Sequence, residues 1–333
     1  MHRNVQQQII ESVLNRLLEE KEMVNRIRQG SLLLSAFFAV TVMGLDTDTY
    51  FPESKGNLTK ITWAHAVNNA SYLNETLQNA TINMIEADVV LGTVGKDKTV
   101  IPIMAHPPDI TSDLSLETFL ELVNTSNIVN NTKHGIKLDF KSTDAFLNST
   151  AFIKKYENES FPIWLNADIL EGPNTNATPV NDTQFFAAAK DFKTATLSVG
   201  WTTGYNETNN TGSYSDDQIS NMLNSIKTNN VSDLSFTFPV RAVYAANSTA
   251  NLTTLLEGVS GSTLTIWSGE DDKVNVTNLR SLLEKVKLGK TYIDVPEALL
   301  NEIHLDTISS ASLSSLSWVT MGVMLLFTFI FRL

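Results

Sequence analysis

Two carboxylates two residues apart, Glu86 and Asp88 in MIEADVV, are the first candidates for chemistry, joined by Asp139 and Lys141 in GIKLDFK at the same spacing. Side chains at i and i+2 of a strand share a face, so each pair would point one way. Three carboxylates turned into one interior repel each other unless a cation sits among them. The chain has no cysteine, and hard oxygen donors favour Mg²⁺ or Ca²⁺ over zinc. His65 in TWAHAV and His106 in IMAHPP are suited to acid and base work near neutral pH. Lys141 would neutralise a non-bridging phosphate oxygen. The set suits an in-line attack at phosphorus.

Further polar groups fall where strands should end: Asn166 and Asp168 in WLNADIL, Arg241 in FPVRA, and Glu270 after Trp267 in IWSGED. Any one alone reads as a strand-end cap or a satisfied ion pair, since buried charge is costly unless paired. Charged groups ending most strands in succession read as the C-terminal mouth of a barrel. Paired carboxylates such as Asp139 and Asp168 would also serve a glycosidase. His134, just before Gly135, falls at the opposite end, and His2 and His304 lie outside these motifs. The G-V-S-G at 258–261 lacks the spacing of a phosphate loop or nucleophile elbow.

The elements that must position these residues alternate. Strand candidates are 60–67, 83–91, 100–106, 135–140, 161–170, 194–201, 234–243 and 262–269, each apolar and rich in β-branched residues. Amphipathic stretches such as LETFLELVN, DDQISNMLNSI and TNLRSLLEKVK separate them, several opening at capping residues such as Ser115 and Asn181. Eight strands alternating with helices predict an α/β fold, a single (β/α)8 TIM-type barrel, with an open doubly wound sheet as the alternative.

The composition fits. At 333 residues, 42% apolar, the chain can build one large core. Its 24 basic and 36 acidic residues give a formal charge of −12, which with no basic run disfavours nucleic acid. Without cysteine, disulfides, thiol catalysis and iron–sulfur clusters are excluded.

Two apolar runs frame a barrel domain expected over 45–308. Within a leader at 1–44, the run 31–43 follows Arg26 and Arg28 and ends near Gly44, as a secretory signal or signal anchor does. At 309–333, Ser309, Ser310 and Ala311 lead to an apolar tail, in the order of a glycolipid (GPI) anchor signal, or of a short single-pass helix stopped by Arg332. N-x-S/T occurs at Asn57, Asn69, Asn74, Asn79, Asn124, Asn130, Asn148, Asn158, Asn176, Asn181, Asn206, Asn209, Asn230, Asn247, Asn251 and Asn275. So many acceptors predict a glycoprotein of the secretory pathway, secreted or held on the extracellular face of the plasma membrane.

The strings ITWAHAVN, MIEADV, PIMAHPP, GIKLDFK, WLNADILEGPN, LSVGWTTG, TFPVRA and LTIWSGEDD closely resemble the menorin family of extracellular proteins, from about Ile61 to Asp272. That family is similar to phospholipase-C-like phosphodiesterase barrels, including glycerophosphodiester phosphodiesterases. The resemblance implies one divalent cation on Glu86, Asp88 and Asp139, with acid–base work at His65 and His106 beside Lys141. It implies substrate contacts from Asn166, Asp168, Trp201, Arg241 and Trp267. The chain departs from the glycerophosphodiesterases, which read H-R-G at the first histidine where this chain has His65-Ala66-Val67. Pro107-Pro108 replace their His-Asp pattern after the second. Two functions follow as expectations. One is a metal-dependent phosphodiesterase acting on a phospholipid or glycerophosphodiester. The other is a non-catalytic surface protein that keeps the barrel and binds an extracellular protein partner.

Overall fold

The computed structural model describes residues 47–308 except 131, 158–160 and 206–210. The leader, the C-terminal tail, and Asn158, Asn206 and Asn209 lie outside the described residues. Among those described, no helix is long and apolar enough to cross a membrane.

Eight strands follow one another in a single sheet: β1 (Trp63–Ala64), β2 (Met84–Val94), β5 (Gly135–Phe140), β6 (Ile163–Glu171), β7 (Thr196–Thr202), β8 (Ser235–Arg241), β9 (Thr263–Trp267) and β10 (Thr291–Asp294). Every pairing along this path is parallel. Helices lie between successive strands for most of the path, as the right-handed crossover of parallel strands requires. The result is a nearly closed α/β barrel. The path ends at β1 and β10, which no ladder joins.

Two expectations are corrected. The apolar run 100–106 is not a barrel strand. Its core, β3 (Ile101–Met104), turns back antiparallel on β2, pairing Val89 with Met104 and Gly92 with Ile101. The eighth barrel strand is instead β10, whose short TYID segment carries little of the apolar signal of the other strands. The first strand is also shorter than 60–67, because Leu58–Lys60 forms a 3₁₀ turn capped by Asn57.

Local signals explain the helices. Val276–Val286 buries Leu279, Leu282, Leu283 and Val286 at helical spacing, and Asn275 caps it by accepting from the Asn278 amide. Asp216–Thr228 starts in a capping box between Ser215 and Gln218. Each such leucine taken fully from water contributes about 1.5–3 kcal/mol. The helices press these faces on the outside of the sheet, where the main core forms. The barrel floor is aromatic: Trp63, Trp164 and Tyr292 meet edge-on, with the Trp164 and Tyr292 centroids 4.8 Å apart, over Phe51, Leu58 and Met84.

β2 is the longest strand and runs beyond β5. There it pairs with β3 on one side and with β4 (Thr111–Ser112) on the other. The crossing is tight at Gly92, where a Cβ would stand 2.3 Å from the Ile110 carbonyl oxygen and 2.5 Å from Ile103 Cδ1. Only glycine fits there. Through this hairpin the chain returns to the barrel, and the Ala105 amide donates to the Asp88 carbonyl. His106 therefore reaches the mouth on a returning arm.

Candidate functional site at the barrel mouth

Register sets the site. Parallel pairing places Glu86 beside Lys137, Asp88 beside Asp139, and Asp139 beside Asn166. Glu86, Asp88 and Asp139 thereby converge, each offering an oxygen within 4.8 Å of the others. Glu86 is 2% and Asp88 4% exposed. Such a cluster without compensation would be prohibitively costly.

Compensation comes from several directions. Lys141 Nζ lies 2.7 Å from Asp88 Oδ1 and 2.6 Å from Asp139 Oδ2. Burial disfavours the Lys141 charge, yet Asp139, Asp88 and Glu86 outweigh it and hold the ammonium above its usual range. Asn68 grips Asp88 at two points, donating from Nδ2 at 2.7 Å and accepting from its amide at 2.9 Å. Asn166 donates to Asp139 at 2.7 Å and is itself fixed by the Ser198 hydroxyl. For Asp139, burial works against ionisation, but Lys141, Lys137 and Asn166 prevail and its carboxyl falls below the ordinary value.

Glu86 is the exception. Desolvation raises its carboxyl, Asp88 and Asp139 add to the rise, and His65 opposes it. Its firmest contact is the amide of Ala66, 2.8 Å from Oε2. Ala66 makes that bond from a left-handed backbone, φ 53°, a conformation costing a non-glycine residue about 1–3 kcal/mol.

His65 follows β1 and turns Nδ1 toward Asp294 Oδ2 at 3.2 Å and Glu86 Oε2 at 3.5 Å. The Asp294 hydrogen bond, reinforced by Glu86, lifts the imidazole to about 9 against a desolvation that would lower it. The side chain is 61% exposed. His106 is exposed, with Nδ1 on its own neighbour's carbonyl, Pro107, at 2.7 Å.

The opposite wall belongs to Arg241. Its guanidinium forks onto Asp272 through Nε and Nη2, both at 2.7 Å, and lies between the rings of Tyr205 and Trp267, 5.0 Å from each centroid. The side chains are only 13% and 1% exposed. This arginine is already committed, as is the Trp267 face it covers. Trp201 is 1% exposed and packs on Tyr214 and Phe238, in the core. Glu270 is exposed in the turn after β9. Asp168 stays in the mouth: it lies over Gly200, where a Cβ would stand 3.1 Å from Oδ1. Burial, and Asp139 after it, raise the Asp168 carboxyl to about 7.

Three participants were missed in the sequence. Asp294 ends β10 as other acidic residues end their strands, but that strand was not recognised. Lys137 continues the period of two through Asp139 and Lys141. It is 4% exposed, with Nζ 5.9 Å from the Trp63 ring centroid. Asn68 closes the string ITWAHAVN, but nothing in its type or spacing marked it as the partner of Asp88.

The donor set is all oxygen and convergent, and its most deeply desolvated member, Glu86, has only the His65 imidazole at 3.5 Å as a cationic partner among the described residues. These residues fit a hard divalent cation. They would hold it on Glu86, Asp88 and Asp139.

Two comparisons bear on this arrangement. A family model described as the Menorin N-terminal domain matches residues 57–300. A human (Homo sapiens) relative, Protein FAM151B, is 36% identical over 240 residues, which cover 72% of this chain and 83% of the relative.

Proposed function

The chain belongs to the menorin family, and from that premise we propose that its barrel is a divalent-cation-dependent phosphodiesterase of the phospholipase-C-like kind. The substrate class is a phospholipid headgroup or a small glycerophosphodiester outside the cell. The observation that carries this reading is the buried convergence of Glu86, Asp88 and Asp139 around Lys141. A bound Mg²⁺ or Ca²⁺ would polarise the phosphate and favour attack at phosphorus.

The chain's own residues would do the rest. Lys141, freed in part from its carboxylates, would hold a non-bridging oxygen. His65, fixed by Asp294, would present Nε2–H to the leaving oxygen. His106 is the base that the sequence offers, its Nε2 turned to solvent from the returning arm. Attack by water gives a monoester, and attack by a substrate hydroxyl gives a cyclic diester.

An extracellular setting is part of the proposal. Its support is the leader-like run 31–43, the anchor-like tail, and the sequons. Among the described residues none of the sequon asparagines is buried. The acidic balance of the chain favours zwitterionic over anionic headgroups.

A second reading is a recognition protein that retains the barrel and the cation for shape. Arg241, whose guanidinium is already paired with Asp272, favours it. The two readings separate in one experiment on the full chain, made through the secretory pathway. Headgroup release from choline and ethanolamine lipids and from glycerophosphodiesters is measured with Mg²⁺, Ca²⁺ or chelator. Release abolished by chelator and by Glu86→Gln supports the enzyme. Cation binding without release under any condition supports recognition.

A further inference from the structure

Asp168 is a carboxylate without a donor. Its position is inward: Asn166, two residues before it on β6, reaches Asp139 inside the barrel. Asp168 pairs in register with Gly200 of β7. That glycine leaves the room the carboxylate occupies, with Pro239 closing the far side at 2.8 Å from a Cβ built there. Among the described residues, the Val180 amide donates to the Asp168 backbone carbonyl, but no side chain or amide donates to its carboxylate and no cation pairs with it at contact distance. The other inward carboxylates each have such a partner: Ala66 for Glu86, Asn68 and Lys141 for Asp88, Lys141 and Asn166 for Asp139, His65 for Asp294.

Asp168 is partly buried, and because no protein donor engages its carboxylate its oxygens stay free to meet a hydroxyl in the mouth. We propose that Asp168, in preference to His106, is the general base that takes the proton of the attacking hydroxyl. This rests on the phosphodiesterase reading and names a catalytic residue for it. The charged and titratable groups that face Asp168 are Asp139 and Lys137 from β5 and Lys141 just after it, with Tyr214 toward the β8 side. Desolvation and Asp139 poise its carboxyl near neutrality, where a base exchanges protons most usefully. His106, by contrast, sits exposed on the rim, its ring held by its own backbone.

The step balances simply. The hydroxyl oxygen forms its bond to phosphorus while its proton passes to a carboxylate oxygen of Asp168. The bond from phosphorus to the departing alcohol breaks, and His65 Nε2 gives its proton to that oxygen. Asp168 then returns its proton to solvent and His65 takes one back.

The test compares Asp168→Asn, Asp168→Ala, His106→Ala and His65→Ala in the full chain, on glycerophosphocholine and on bis-p-nitrophenyl phosphate. A nitrophenolate leaves without a proton, so it separates acid from base. Asp168→Asn is expected to lose about 10²-fold or more in kcat on both diesters, while His65→Ala recovers on the nitrophenyl substrate. Mg²⁺ and Ca²⁺ affinity by calorimetry is expected to stay at the wild-type value in Asp168→Asn. Carboxyl-carbon NMR of aspartate-labelled protein is expected to show a resonance titrating near 7 that Asp168→Asn removes. Asp168→Asn turning over at the wild-type rate overturns the assignment, as does a His106→Ala variant that alone loses both substrates. A wild-type protein that binds the cation but cleaves neither diester overturns the phosphodiesterase reading and the assignment together.

Discussion

Lys141 Nζ stands 2.6 Å from Asp139 Oδ2, so an ammonium already occupies part of the space that a cation on these carboxylates would claim. The two positive charges must share the cluster. Lys141→Met is therefore expected to tighten Mg²⁺ and Ca²⁺ binding while lowering any turnover, and Glu86→Gln to weaken binding. Calorimetric titration of the three proteins decides it. Equal affinities would mean that the cation does not bind here.

The Asp294–His65 hydrogen bond sets a pH dependence. The imidazole titrates at about 9 in the cation-free fold against 6.5 unfolded. Folding thus gains from its proton fully below 6.5, and the gain is lost as pH rises through about 9. Asp294→Asn is expected to return His65 toward its ordinary value and flatten that part of the stability curve. Added Mg²⁺ is expected to move the wild-type value down, since it draws on the same carboxylates. Imidazole NMR reports both shifts.

Arg241 and Asp272 form an almost fully covered fork. Removing one partner leaves the other charge buried and unpaired, so Asp272→Ala is expected to cost about 3–5 kcal/mol. Denaturant unfolding measures it. A loss under half of that would show that the Tyr205 and Trp267 rings hold the guanidinium unaided.

His134 is fully buried, with its Nδ1–H on the Ile82 carbonyl at 3.0 Å and Nε2 without a partner. Desolvation lowers its pKa below 6.5. The unfolded chain then takes the proton first on acidification, so stability falls as pH drops below 6.5. Melting temperatures of wild type and His134→Asn between neutral and mildly acid pH are expected to diverge, the variant having the shallower decline.

Much of this architecture was legible in the residues. Strands buried on both faces write long apolar runs, and GIKLDF and FPIWLNADIL could be little else. The carboxylate pairs stood out because a strand's period is two. What failed has physical causes. An apolar run of four or five residues does not encode its direction, so PIM was read as a parallel strand when it returns along β2. TYID is half polar and short, and with it went Asp294, the partner that fixes His65. Lys137 hid between apolar neighbours. Trp201 and Arg241 have the side chains of a binding site, and only packing shows one in the core and the other held by Asp272.

The missing ladder between β1 and β10 orders events in time. His65 and Asp294 are 229 positions apart, and the loop between them is nearly the whole domain. A chain emerging from the ribosome can assemble the carboxylate cluster from β2 and β5 early. It cannot complete the histidine until Thr291–Asp294 has been made and has settled against the first strand. Side chains, not a backbone ladder, must then fasten the seam. Asp294 is the last part of the site to be built, and any premature stop before it would leave His65 without the carboxylate that holds its ring.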